Sequence, residues 1–290
     1  MTRGAVRAVL LTIAVLLGAC TALRFTYSQG TTLTYWWFDS YADFNAEQKP
    51  RVQAAIERWF TWHRRTQLPD YTALLERASH EVLAVATPRQ ACDWWDTLML
   101  RRDAAVMQMA PTLAEIAPSL SPEQLQHIDR KFERNTEKWR DEHLQPDLGK
   151  REREAVKRAV DQAEKLYGRL DRAQRELLAE AVRSSPADPE KTLAQREARH
   201  RDSLKTLQAL TQPGLDRPQA ERLTRAWLTR LFTPTDDAAR HHQEKSQAHW
   251  CAASATLHNR TDAAQRRHAA EALQGWKDDL AGFILPLAGP

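Results

Sequence analysis

The sequence predicts an all-α fold, and three observations carry that expectation. Aliphatic β-branched residues are scarce: beyond position 20 the chain holds seven Val and four Ile, while Ala, Leu, Arg, Glu and Gln abound. Strands draw much of their packing from branched side chains, so a large sheet is excluded. Apolar residues recur at intervals of three and four almost to the C-terminus, which is the spacing of one helix face. Prolines and glycines then fall where these stripes end: Pro69, Pro88, Pro118, Pro146, Gly168, Pro186, Pro213 and Pro234. The chain of 290 residues has room for one large domain. Residues 35–290 read as a single multi-helix bundle of about nine or ten antiparallel helices.

At the N-terminus Arg3 and Arg7 precede an apolar run from Ala8 to Leu17. That run is too short to cross a hydrocarbon core of about 30 Å, and it reads as the centre of a secretory signal over residues 1–19. Leu17, Gly18, Ala19 and Cys20 look like a bacterial lipobox. Small residues there admit a signal peptidase to the backbone, and the thiol of Cys20 is the atom that would carry a diacylglyceryl group. Cleavage would leave Cys20 as the lipidated first residue, with palmitate-like chains mooring the protein to a membrane. The alternative is an ordinary signal with a chance cysteine. Thr21, where Asp would mark inner-membrane retention in enterobacteria, points to the outer membrane facing the periplasm. Sorting rules differ among bacteria, so inner-membrane retention stays open. Part of the formal +4 charge leaves with Arg3 and Arg7, and no basic block marks a nucleic-acid partner. Residues 20–34 read as anchor and tether.

The body follows as stripes: Leu125, Ile128, Phe132 and Trp139; Val156, Val160, Ala163, Tyr167 and Leu170; Leu193, His200, Leu204 and Leu207; Leu223, Trp227 and Leu231. Four helix starts share one pattern, in which Asn45, Ser121, Asp171 and Asp262 each stand three residues before a glutamine: Gln48, Gln124, Gln174 and Gln265. This is a capping box: the short side chain accepts from the glutamine's backbone N–H, and the glutamine side chain reaches back. The uneven intervals indicate reuse of a helix start, not a solenoid. Pro50 is out of place, five residues past its cap. In an oxidising compartment Cys92 and Cys251 either pair or remain two buried thiols.

The run Tyr35, Trp36, Trp37, Tyr41, Asp43, Phe44 and Gln48, with Trp62, His63, Arg64, Leu68, Pro69 and Tyr71 after it, resembles a bacterial lipoprotein family known only as domain of unknown function 6279. The start Leu120 to Gln124 with Arg134 and Asn135, and the ending from Gln265 to Trp276, are similar to it too. This resemblance implies an all-helical envelope lipoprotein and brings no catalytic residues. The helix starts also resemble the LTxxQ motif of small periplasmic chaperones of the Spy type, although three of the four lack Ser or Thr and this chain is longer.

Candidate sites are few. Trp36 and Trp37, near the anchor, could line an apolar groove or touch the membrane; for Trp94 and Trp95 a place in the core is expected. Trp62, His63, Arg64 and Arg65 would close a helix before Leu68 and Pro69, where cations complement the dipole. The sharper alternative is a polar pocket in which Asp39 and Asp43 grip Arg64 beside His63. His242 and His249 stand two turns, about 10.5 Å, apart, so with His241 and Glu244 they read as a solvated face, without metal. The mixed charges of Lys150 to Arg158 read the same way. No phosphate loop, HExxH, GxSxG or CxxC occurs. The expected role is therefore non-enzymatic and without a cofactor: binding of an unfolded chain or another envelope component, or else plain scaffolding.

Overall fold

A computed structural model of the protein describes residues 23–234 and 236–286. The signal, Cys20 and Thr21 lie outside them. Among the described residues there are helices and no strands: α1 (Gly30–Ala42), α2 (Gln48–Trp62), α3 (Leu68–Glu81), α4 (Pro88–Met107), α5 (Ala110–Ile116), α6 (Pro122–His143), α7 (Leu148–Tyr167), α8 (Arg172–Arg183), α9 (Pro189–Leu210), α10 (Arg217–Phe232), α11 (Asp237–Asn259) and α12 (Ala263–Ala281). The all-α class holds. The division is finer than nine or ten helices because the short α5 opens at Pro111 and is cut from α6 by a 3-10 turn, Ala117–Ser119. Residues 23–28 are also helical, so the stretch read as a tether is structured from residue 23 onward.

The second half of the chain retraces the first. α12 packs on α3, α11 on α4, α10 on α5, α9 on α6 and α8 on α7, each pair nested inside the one before. The innermost hairpin, α7 with α8, then returns to pack on α12 and α11. A disulfide joins Cys92 on α4 to Cys251 on α11, with Cα atoms 5.3 Å apart.

Three apolar clusters fill this layout. One gathers Ala114, Leu120, Ile128, Leu207, Leu210 and Trp227 from α5, α6, α9 and α10. Trp227 Nε1 donates to Ser203 Oγ at 3.0 Å, which satisfies the one polar atom of its buried ring. A second joins Val160, Leu170, Leu178 and Leu257. Leu170 lies beyond the α7 stripe assigned to it. Gly168, at φ 69°, ends α7 in a backbone conformation that side chains disfavour, and Leu170, 2% exposed, packs ahead of the Asp171 cap. The third cluster, between α1, α2 and α5, borders the cavity described below.

Two expectations fail on packing grounds. Trp62 to Arg65 do not close a helix: His63–Gln67 form a π turn that leads straight into α3. Pro69 has no N–H for the carbonyl of Arg65, and the wider turn lies where that bond is missing. Trp94 and Trp95 are not core either. Trp95 is 47% exposed, while Trp94 lies beneath the Arg77 guanidinium and donates to Glu81 at 2.8 Å.

Candidate functional site

The helical run that opens the described chain carries one long stripe. Leu23, Thr26, Tyr27, Gly30, Leu33, Thr34, Trp37 and Phe38 follow the three-and-four spacing across residues 23–28 and α1. On α2, Val52, Ala55, Ile56, Trp59 and Phe60 repeat it, and His63 extends it into the π turn. These two faces, with Met109, Thr112, Leu113 and Ile116 from α5 and its approach, line a half-open cavity of about 520 Å³. That is an ordinary size for a small-molecule site. No Lys, Arg, Asp or Glu lines it.

Gly30 sets the spacing of the two helices. A Cβ there would stand 2.6 Å from Phe60 Cε1, so only glycine lets α1 approach the ring. Phe60 meets Tyr27 edge-on at 5.7 Å and Trp59 at 5.1 Å.

The ring polar atoms of Tyr27, His63 Nδ1 and Trp59 at the wall are engaged. Tyr27 Oη and His63 Nδ1 are hydrogen-bonded at 2.8 Å, and Trp59 Nε1 donates to the Ala105 carbonyl at 2.9 Å. His63 stacks on Trp59 at 4.8 Å and meets Tyr71 edge-on at 5.3 Å. Burial, and after it the neighbouring Arg64 charge, push the His63 pKa down to about 4, so the ring is neutral at ordinary pH. Burial raises the Tyr27 pKa, which keeps its hydroxyl protonated. The wall thus offers aromatic and aliphatic contact with no charge of either sign.

Arg64 sits at the edge of this wall over the rings of Tyr27, at 5.7 Å, and Phe60, at 6.0 Å. The chain end passes the same place, with Phe283 4.8 Å from Tyr27 and the Leu285 N–H bonded to the Arg64 carbonyl.

The polar pocket expected from Asp39, Asp43 and Arg64 is not formed. Asp39 instead accepts from Tyr35 Oη at 3.2 Å and from the Phe44 N–H at 3.0 Å, binding the turn after α1. Asp43 ends α1 with φ 48° and turns its carbonyl to Gln124. Trp37 lines the cavity and is 56% exposed at its rim, whereas Trp36, 61% exposed, lies outside it. Trp62 belongs to the aromatic row, 6.1 Å from Trp59. Tyr27, Trp59, Phe60 and the α5 residues were missed. The α2 spacing from Val52 to His63 was the signal for most of them.

The first two capping boxes meet across the fold. Gln48 and Gln124 exchange amide hydrogen bonds, and each also donates to a carbonyl two residues before the other's cap: Ser119 and Asp43. Gln174 and Gln265 do the same far along the chain, on Arg260 and Arg169. A second concavity, an open trough of about 830 Å³, lies between α7, α8 and α11, with Leu166, Val182 and Trp250 flanked by Arg151, Arg158 and Arg183.

Elsewhere the histidines serve the fold: His249 Nε2 contacts the Ala181 carbonyl at 2.8 Å, and His258 lies between Tyr167 Oη and the Ala84 carbonyl. Among the described residues no three His, Cys, Asp or Glu side chains are grouped so as to hold a metal ion, and no helix is long and apolar enough to cross a membrane.

A family model, Family of unknown function (DUF6279), matches residues 40–226, from the end of α1 into α10. No curated protein and no solved structure matches the chain.

Proposed function

Since the chain belongs to the DUF6279 family, for which no function is known, we propose a role from the cavity itself: a lipid-anchored protein of the bacterial envelope that binds an apolar ligand and catalyses nothing. The observation that carries this reading is the uncharged, aromatic-walled cavity of about 520 Å³, built on the first helices after Cys20. Its one titratable imidazole is neutral and already bonded to Tyr27, so the wall holds a partner by burial and not by proton transfer. The lipobox reading of Leu17 to Cys20 supports periplasmic exposure on an acylated anchor, with the outer membrane as its site.

The test uses the Cys20→Ser protein secreted behind a non-lipoprotein signal and titrated with 1-N-phenylnaphthylamine. Saturable binding at one site is expected, weakened about tenfold by Thr34→Trp, which fills the wall, and unchanged by Trp95→Ala. Thr112→Phe fills the cavity from the opposite side should the first variant misfold. Binding that does not saturate, or that neither filler weakens, overturns the reading. Fractionation tests the anchor: Cys20→Ser behind its own signal should leave the membrane pellet.

The wide trough between α7, α8 and α11 favours a second reading, a grip on an unfolded polypeptide or another envelope protein, because it sets apolar surface beside arginines. The same dye would then be displaced by a denatured acidic polypeptide in both filler variants.

A further inference from the structure

We propose that the resident occupant of the cavity is an acyl chain of the protein's own lipid, carried on Cys20; this rests on the reading of Cys20 as the lipidated residue. The cavity stripe on the first helical run begins at Leu23 and continues through Thr26, Tyr27 and Gly30. Cys20 precedes Leu23 by three residues, which is the next step of the same sequence spacing. Three residues of chain span at most about 11 Å, so any lipid on that sulfur starts within about that distance of Leu23, at the cavity's wall. The attachment also gives the chain a high effective concentration that no free ligand matches.

The chemistry of the wall selects this occupant over others. A free fatty acid would bring a carboxylate into a cavity that no Lys or Arg lines; Arg64, over the Tyr27 and Phe60 rings, stands only at its edge. A peptide would bring an N–H and a C=O at nearly every residue, and with Tyr27, His63 Nδ1 and Trp59 already paired only the hydroxyls of Thr26, Thr34 and Thr112 line the cavity to meet them. A hydrocarbon chain asks for neither, and its polar glycerol linkage can stay outside with the chain's start.

A chain in the cavity is withdrawn from the bilayer. Membrane hold by acyl groups is additive in their buried carbons, so sequestering one chain loosens the mooring, and an outside ligand entering the cavity would return that chain to the membrane. Ligand uptake and anchoring are then coupled through one space.

The full-length lipidated protein, in its own membranes, tests this with p-benzoylphenylalanine in place of Thr112, ultraviolet irradiation and mass spectrometry of the digest. The expected product joins the peptide carrying position 112 to the acylated Cys20 peptide of the same molecule, with yield about tenfold above that from the same probe at Leu98, which is exposed and outside the cavity. Leu33 is the second probe position, at the opposite wall. Adducts to membrane phospholipid, or yields no higher than at Leu98 from both probes, overturn the proposal. If dye binding by the Cys20→Ser protein persists in that case, the apolar-ligand reading survives. If dye binding is also absent, both readings fall.

Discussion

Gln48 and Gln124, 76 residues apart in sequence, hold each other across two helix starts: Gln48 Nε2 donates to Gln124 Oε1 at 3.1 Å and Gln124 Nε2 donates back to Gln48 Oε1 at 2.8 Å. Each oxygen also accepts its own cap's backbone N–H, from Asn45 and Ser121, and each nitrogen has a carbonyl besides. Both amides are thereby saturated while nearly buried, at 3% and 8% exposure. The clasp fixes the end of α1 and the start of α2 against α6.

Gln124→Ala should therefore cost far more than an ordinary cap. It strips one partner from each polar atom of the Gln48 amide and takes the Gln124 donor from the Ala42 and Asp43 carbonyls in a dry place, a loss of about 2–4 kcal/mol in urea unfolding. Gln90→Ala, at an exposed box on Thr87 with no second glutamine opposite, should cost about 1 kcal/mol or less. Gln48→Ala with Gln124→Ala should fall well short of the sum of the two single losses, because the second deletion removes a group that the first had already orphaned.

Gly30→Ala should destabilise by about 1–3 kcal/mol despite alanine's better helix propensity. The new methyl meets Phe60 at 2.6 Å, and that ring is hemmed in by Tyr27 and Trp59. Thermal unfolding followed by circular dichroism reads the loss.

Acid should weaken the fold before it protonates most carboxylates. The pKa values of His63 and His200 fall from 6.5 to about 4, in both cases first through burial and then through neighbouring arginines. Between those values the unfolded chain binds more protons than the folded one. Stability is thus fully present above about pH 6.5 and is lost as pH falls toward about 4. The melting temperature should be lower at about pH 5 than at about pH 7.5, and the gap should narrow when both residues become Gln.

Removing the disulfide by Cys92→Ala with Cys251→Ala should lower stability by about 4–5 kcal/mol, since the loop it closes spans most of the body. Non-reducing electrophoresis should show the native protein running faster than its reduced form.

Some of this architecture could be read residue by residue. The three-and-four stripes reported helix faces because burial on one side needs nothing but that spacing. The four capping boxes lie where expected, and Pro50 falls within the first turn of a helix whose regular part begins only at Gln48. Two further boxes, Thr87 with Gln90 and Asp216 with Gln219, carry the same signature and were passed over. The aspartates showed the limit of such reading. Asp39 and Asp43 look like partners for Arg64 in the linear order, but a π turn ahead of Pro69 rotates Arg64 onto the Tyr27 and Phe60 rings.

The amino-acid order by itself determined that this chain is helical and where four of its helices begin, because each of these depends on neighbours within a turn or two. Which glutamine faces which, and that residues 23–38 and 52–63 meet α5 around a cavity lined by no Lys, Arg, Asp or Glu, was decided only in three dimensions. A capping glutamine spends its oxygen and one N–H locally, but its side-chain amide hydrogens find no partner within the box, and the acceptors that complete them lie 76 and 91 residues away.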